Sequence, residues 1–143
     1  MAGIIIRALH EADSQQVCHL IPQLTTNIFE PAYLKRRLEA LAQPKHHQYL
    51  VGEKDNRVVS FGGLAWYPIP SKGPMGWIEE VVTDEKSRQN GVARMLMDNL
   101  LALAKFLKLT QVKLTTANPV ALDFYKTLGF QVKKEFLMVK KFG

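Results

Sequence analysis

An internal disulfide is closed to this chain, because its 143 residues include a single cysteine, Cys18. That usage fits a reducing cytoplasm. Cys18 stands among Val17, Leu20 and Ile21, a setting that suits a buried small hydrophobe better than a nucleophile. No apolar run approaches the roughly 20 residues of a membrane span. Met1-Ala2-Gly3-Ile4 lacks the basic-then-apolar layout of a secretory leader, so a cytoplasmic protein with no membrane partner is expected. His10, His19, His46 and His47 match no ligand spacing, and no metal is expected. Without repeat, linker or low-complexity tail, the chain reads as one domain over residues 1–143.

Positive charge is in surplus, with 19 Lys and Arg against 13 Asp and Glu. The basic residues are scattered, as in Lys35-Arg36-Arg37, Lys133-Lys134 and Lys140-Lys141. Neither zinc-ligand spacing nor a glycine-aromatic RNA-binding motif accompanies them, so nucleic acid is not the expected partner. A basic nucleic-acid-binding protein is kept as the alternative from another class. A cofactor bearing several phosphates accounts for part of the charge, and a solvated basic surface accounts for it equally.

The stretch that organises the chain is 77–105. Residues 77–83, Trp-Ile-Glu-Glu-Val-Val-Thr, carry β-branched side chains at Ile78, Val81, Val82 and Thr83 and predict a strand. Residues 84–91 form a polar, turn-prone loop ending in Gly91. Val92, Met95, Leu96, Leu100, Leu103, Ala104 and Leu107 then recur every three or four residues, which predicts an amphipathic helix. A helix that starts after such a loop offers unpaired N–H groups and partial positive charge, a setting suited to phosphate.

Arg88-Gln89-Asn90-Gly91-Val92-Ala93 resembles the Arg/Gln-x-x-Gly-x-Gly/Ala signature of the GNAT superfamily of acetyl-CoA-dependent N-acetyltransferases. The context supports it: the motif follows a β-branched strand and opens a helix. It also precedes Asn118-Pro119-Val120-Ala121-Leu122-Asp123-Phe124-Tyr125 and Gly129-Phe130, similar to the family's second block. The two motifs span about residues 77–130, and the N-terminal half matches only in its order of elements.

That order begins with a strand at 4–7 and helix-start residues at 10–14, followed by a helical pattern that Pro22 interrupts. A second helix begins near Pro31, and strands follow at 48–53 and 58–66 around a turn at 54–57. The Pro- and Gly-rich 67–76 is expected as an irregular surface loop. After the central unit come a strand at 111–116, a helix at 119–128, and closing strands at 130–132 and 136–142. The resemblance implies an α/β (α+β) GNAT-type fold, a mixed central sheet with flanking helices in which the parallel strands 77–83 and 111–116 splay apart. The amide-rich arm of acetyl-CoA would complete the ladder along Val81, Val82 and Thr83. Its pyrophosphate would lie on the N–H groups of Gln89, Asn90, Gly91, Val92, Ala93 and Arg94, behind Arg88, with Asn118 nearby. Many relatives have glycine where this chain has Gln89 and Ala93.

Acetyl transfer to an amine requires a base, an oxyanion donor and an acid for the leaving thiolate. The resemblance assigns the acid to Tyr125, whose plainer reading is a core aromatic beside Phe124 and Phe130. It also puts the oxyanion donor at a backbone N–H near Val82. Glu79 and Glu80 are the candidate bases, with Glu79 favoured and acting through water. Strand alternation would point adjacent carboxylates to opposite faces, so at most one should meet the substrate. The acceptor is a primary amine of a small molecule or peptide; its identity is left open. A CoA-binding regulatory module that lost turnover is the nearer alternative. Residues 133–142 alternate apolar with charged side chains like an edge strand, so a two-fold homodimer that covers it is expected.

Overall fold

Turn chemistry and β-branched runs lay out the sheet of the computed structural model, which describes residues 3–143. Strands β1 (Ile4–Ala8), β2 (His47–Lys54), β3 (Arg57–Ile69), β4 (Gly73–Thr83) and β5 (Gln111–Lys113) lie side by side in sequence order. The first three pairings are antiparallel, and β4 with β5 is parallel. Asp55 and Asn56 make the β2–β3 turn with φ of 51° and 66°, the left-handed pair that matches strand twist.

Helices α1 (Ser14–Cys18) and α2 (Pro31–Leu41) cover one face and α3 (Val92–Phe106) the other, while α4 (Pro119–Thr127) follows β5. Alternation along β2 sets the division: Tyr49 and Val51 pack with Val17, Leu20 and Leu38, whereas Leu50 packs with Leu96, Met97 and Leu100. Cys18 packs against the first cluster, and burial pushes its thiol pKa up, consistent with a small hydrophobe. At the entry to α1, Asp13 accepts two bonds from Arg7, at 2.7 and 2.8 Å, and one from the His10 N–H at 2.7 Å. Burial alone would raise the Asp13 pKa, but the Arg7 guanidinium and the His10 N–H outweigh it and hold the carboxyl low.

Three expectations need correction. Residues 67–76 are not an irregular loop: β3 runs to Ile69 and β4 starts at Gly73, leaving a tight turn between them. Pro68 faces Pro74 across the hairpin, so the two missing N–H groups coincide at one rung, and Gly73 supplies the φ of +81° that closes the turn. The strand at 111–116 ends at Lys113, where its partner β4 diverges. No strand forms at 130–132 or 136–142: residues 130–143 contain neither turn nor bend, and all of 131–143 is exposed.

Candidate functional site

The site begins where the sheet comes apart. β4 and β5 share three rungs, the last at Trp77 and Lys113, and beyond it 78–83 have no strand neighbour on that side. This is the splayed parallel pair that the sequence predicted. The gap opens into a cleft of about 530 Å³, walled by Ala65, Tyr67, Trp77, Ile78, Glu79, Glu80 and Thr115, with Leu137 across from them. The Trp77 Nε1–H donates to the Tyr67 hydroxyl at 2.9 Å and fixes both rings in the wall.

Both carboxylates line this cleft, which overturns the expectation that only one could. The cause is a bulge. β3 advances two residues from Phe61 to Gly63, while β4 takes three to go from Val82 back to Glu79. The extra residue breaks the alternation, and Glu80 takes up φ of +57°. Partial burial first, then the Glu79 charge, push the Glu80 carboxyl above the ordinary glutamate range. Tyr49, which sequence reasoning missed, belongs to the same neighbourhood. Its hydroxyl is pushed up to about 12 by burial and by the charges of Glu79 and Glu80. No sequence signal marked it, because only the register shows that Gly63 lies opposite Tyr49 and leaves room for its ring.

At the far end of β4, Val82 and Thr83 are buried. The Ser60 hydroxyl donates to the Val82 carbonyl at 3.1 Å, and Arg88 Nε donates to the Thr83 carbonyl at 3.2 Å. The turn into α3 passes through two left-handed residues, Gln89 (φ 68°) and Gly91 (φ 81°). Such a turn gathers backbone N–H groups into an anion-binding concavity. Gly91 is the N-cap and carries no side chain to satisfy the first turn. The Met95 N–H is the first to find a helical partner, the Gly91 carbonyl at 3.0 Å, so those of Val92, Ala93 and Arg94 stay available at the positive end of a 15-residue helix.

Asn118 caps α4 by accepting from the Val120 N–H at 2.9 Å. Tyr125 sits about two turns further along α4, with ring centroids 5.5 Å from Phe124 and 5.9 Å from Phe130. Burial raises its pKa. Among the described residues no hydrogen bond joins Tyr125 to Glu79 or Glu80, and neither Tyr125 nor Asn118 is among the residues that wall the cleft; Tyr125 packs instead with the cluster of Leu96, Met97 and Leu100. No group of three or more His, Cys, Asp or Glu among the described residues is placed to hold a metal ion. A smaller recess of about 190 Å³ beside α1, walled by Gln16, Gln23, Arg57 and Asp84, contains none of these residues.

A family model described as the acetyltransferase (GNAT) family matches residues 14–130. The fold is similar to that of a transcriptional regulator from Bacillus halodurans, with TM-score 0.87 and 24% identity over 96% of this chain and 99% of that one. It is also similar to glucosamine-6-phosphate N-acetyltransferase from Arabidopsis thaliana, with TM-score 0.81 and 23% identity over 98% and 99% of the two chains. A predicted acetyltransferase from Clostridium acetobutylicum, crystallised with acetyl-CoA, superposes with TM-score 0.78 and 24% identity over 96% of each chain.

Proposed function

The chain belongs to the GNAT acetyltransferase family, and from that premise we propose that it transfers the acetyl group of acetyl-CoA to a primary amine by direct attack. Acting as a homodimer in the cytoplasm, it would do so with one catalytic domain spanning residues 1–143. The observation that carries the reading is the joining of two features by one strand. β4 presents a carboxylate pair in an open cleft and leads, past its unpaired edge, to a helix start with free N–H groups.

Acetyl-CoA fits this frame. The N–H groups of Gln89, Asn90, Gly91, Val92, Ala93 and Arg94 would hold its pyrophosphate, with Arg88 adding positive charge. The unpaired edge of Val81, Val82 and Thr83 suits its amides, and Asn118 at the α4 N-cap would donate its side-chain amide to the same molecule. When bound, it supplies an acyl group activated as a thioester. The protein's own part is proton handling and charge stabilisation. An amine arrives mostly protonated at neutral pH, with a reference pKa for a lysine-like group of about 10.4. The carboxylates attract that cation, and Glu80, whose raised pKa brings it closer to neutrality, takes the proton. This favours Glu80 over Glu79, the reverse of the sequence-based preference. A backbone N–H near Val82 donates to the carbonyl oxygen as charge develops, and the Tyr125 hydroxyl protonates the departing thiolate. The aromatic wall of Trp77 and Tyr67 favours an acceptor with cationic and apolar parts.

The test is a broad panel of amines, including aminosugars, polyamines and peptides, with acetyl-CoA and detection of free thiol. Amine-dependent thiol release is expected. Binding of acetyl-CoA without turnover on any amine would replace the enzyme with a CoA-binding regulatory module.

A further inference from the structure

The cleft has charge of both signs at hand, and neither pole neutralises the other. Lys113 stands opposite Trp77 on the last rung of the β4–β5 ladder. Its ammonium rests over the Trp77 ring, 5.8 Å from the centroid. An ammonium so near two carboxylates would ordinarily pair with one of them. Lys113 does not, since among the described residues every ion pair belongs to Arg7. The Glu80 carboxyl is moved by burial and by the Glu79 charge, with no cation pulling the other way.

Strand geometry holds the poles apart. Glu79 follows Trp77 by two residues on β4, so both stand on one face of the sheet, about 7 Å apart along the strand. Register puts Lys113 on that same face, and Thr115, two residues beyond it, walls the cleft. The indole lies between the poles, fixed by its bond to the Tyr67 hydroxyl, and Leu137 stands across from it. Apolar surface between two charges keeps some water out, and less screening raises the worth of each.

Two unpaired poles on a fixed floor suit a molecule that carries the opposite pair. We propose that the acceptor is an amine that also bears an anionic group. Its ammonium meets Glu79 and Glu80, and its carboxylate or phosphate meets Lys113, with the Thr115 hydroxyl as a second donor. The two groups of the acceptor then stand roughly 7 Å apart. Lys113 is in this way a specificity-determining residue that moves no proton. It also works by exclusion: the carboxylates alone would welcome a diamine, but its second cation meets Lys113. The proposal rests on the acetyl-transfer reading and deepens it by naming the acceptor class.

The experiment reads binding, not turnover, and so fails separately from that reading. The protein is titrated calorimetrically, with and without coenzyme A, against three matched probes: δ-aminovalerate, pentylamine and cadaverine. δ-Aminovalerate should bind about tenfold more tightly than pentylamine, the size of one charge-assisted hydrogen bond, and cadaverine more weakly than either. Lys113→Gln should erase the first preference, and Lys113→Glu should invert the order so that cadaverine binds best. Lys113→Arg keeps the charge and should keep the wild-type order, which separates charge from packing on Trp77. Aminopropyl phosphate, run beside δ-aminovalerate, tells which anion the pole favours; either one binding more tightly than pentylamine supports the proposal. Equal binding of δ-aminovalerate, aminopropyl phosphate and pentylamine overturns it. So does an order that Lys113→Gln leaves intact, or no detectable binding of any probe.

Discussion

The ring of Tyr49 lies flat against the backbone of Gly63, in the space that a Cβ would occupy. The two residues are direct partners in the β2–β3 ladder, and Gly63 also faces Glu79 across to β4. One absent side chain therefore lets an aromatic ring lie over the sheet beside the carboxylates. Gly63→Ala should destabilise the fold by roughly 1–3 kcal/mol, the range of overpacked cores. In a Tyr49→Ala background the same change should cost far less. Urea unfolding of the four variants checks this; equal losses in both backgrounds would mean the ring is not what Gly63 accommodates.

The raised pKa of Glu80 carries two consequences. As a base it must be ionised, so the acidic limb of kcat/KM should lie above the ordinary glutamate value of about 4.3. Glu80→Gln should remove that limb, and Glu79→Gln should move it to lower pH by taking away a repelling charge. On stability the sign is the opposite of an ion-paired carboxylate. A group whose folded pKa is raised favours the folded state below its unfolded pKa, and that contribution is lost as pH rises through the folded value. Glu80→Gln should therefore raise Tm at pH 7 relative to wild type and leave little difference near pH 3. A lower Tm at neutral pH would contradict this.

Acetyl-CoA should raise the melting temperature by mass action, since it binds only the folded chain. Gly91→Glu should abolish the shift by adding bulk and negative charge at the α3 N-cap. Because Gly91 has φ of 81°, a control must separate backbone strain from charge. Gly91→Asn tolerates that conformation and should keep most of the shift. Equal loss in both variants would leave conformation, not anion binding, as the reason for glycine.

Tyr125→Phe keeps the packing against Phe124 and Phe130 and removes a hydroxyl that makes no hydrogen bond among the described residues. Tm and the acetyl-CoA-induced shift should hold, while turnover falls by about 10²–10⁴-fold, the range for general acid catalysis. A loss below tenfold would return Tyr125 to the aromatic core.

How much of this was legible in the sequence divides along the range of the interactions. The 77–106 unit was readable because strand, loop and helix signals are local, and Gly91 at the helix start is a local requirement. The splayed pair came from the family resemblance, and the ladder bears it out at Trp77 and Lys113. The bulge at Glu80 could not be read, because a register shift is a property of two strands together. Neither could the β3–β4 hairpin, where Pro68 and Pro74 argue for a loop until their pairing is known. The strands expected at 130–132 and 136–142 do not form, although their alternating sequence predicted them. Alternation is a local signal, whereas a strand exists only where a second strand pairs with it, and none does there.

The three-rung junction between β4 and β5 has a dynamic consequence. Beyond it, β5 and α4 form a flank with short pairing and no fully buried helix residue, unlike the long ladders of β2, β3 and β4. Regions with few buried apolar contacts open locally at a fraction of the global free energy. Backbone amides at 111–113 and along α4 should therefore exchange with deuterated solvent well before those of β2 and β3. A molecule lying in the gap would bridge the flank to the rest of the sheet and slow that exchange. The half carrying Asn118 and Tyr125 would then be put in order by the very molecule it is there to engage.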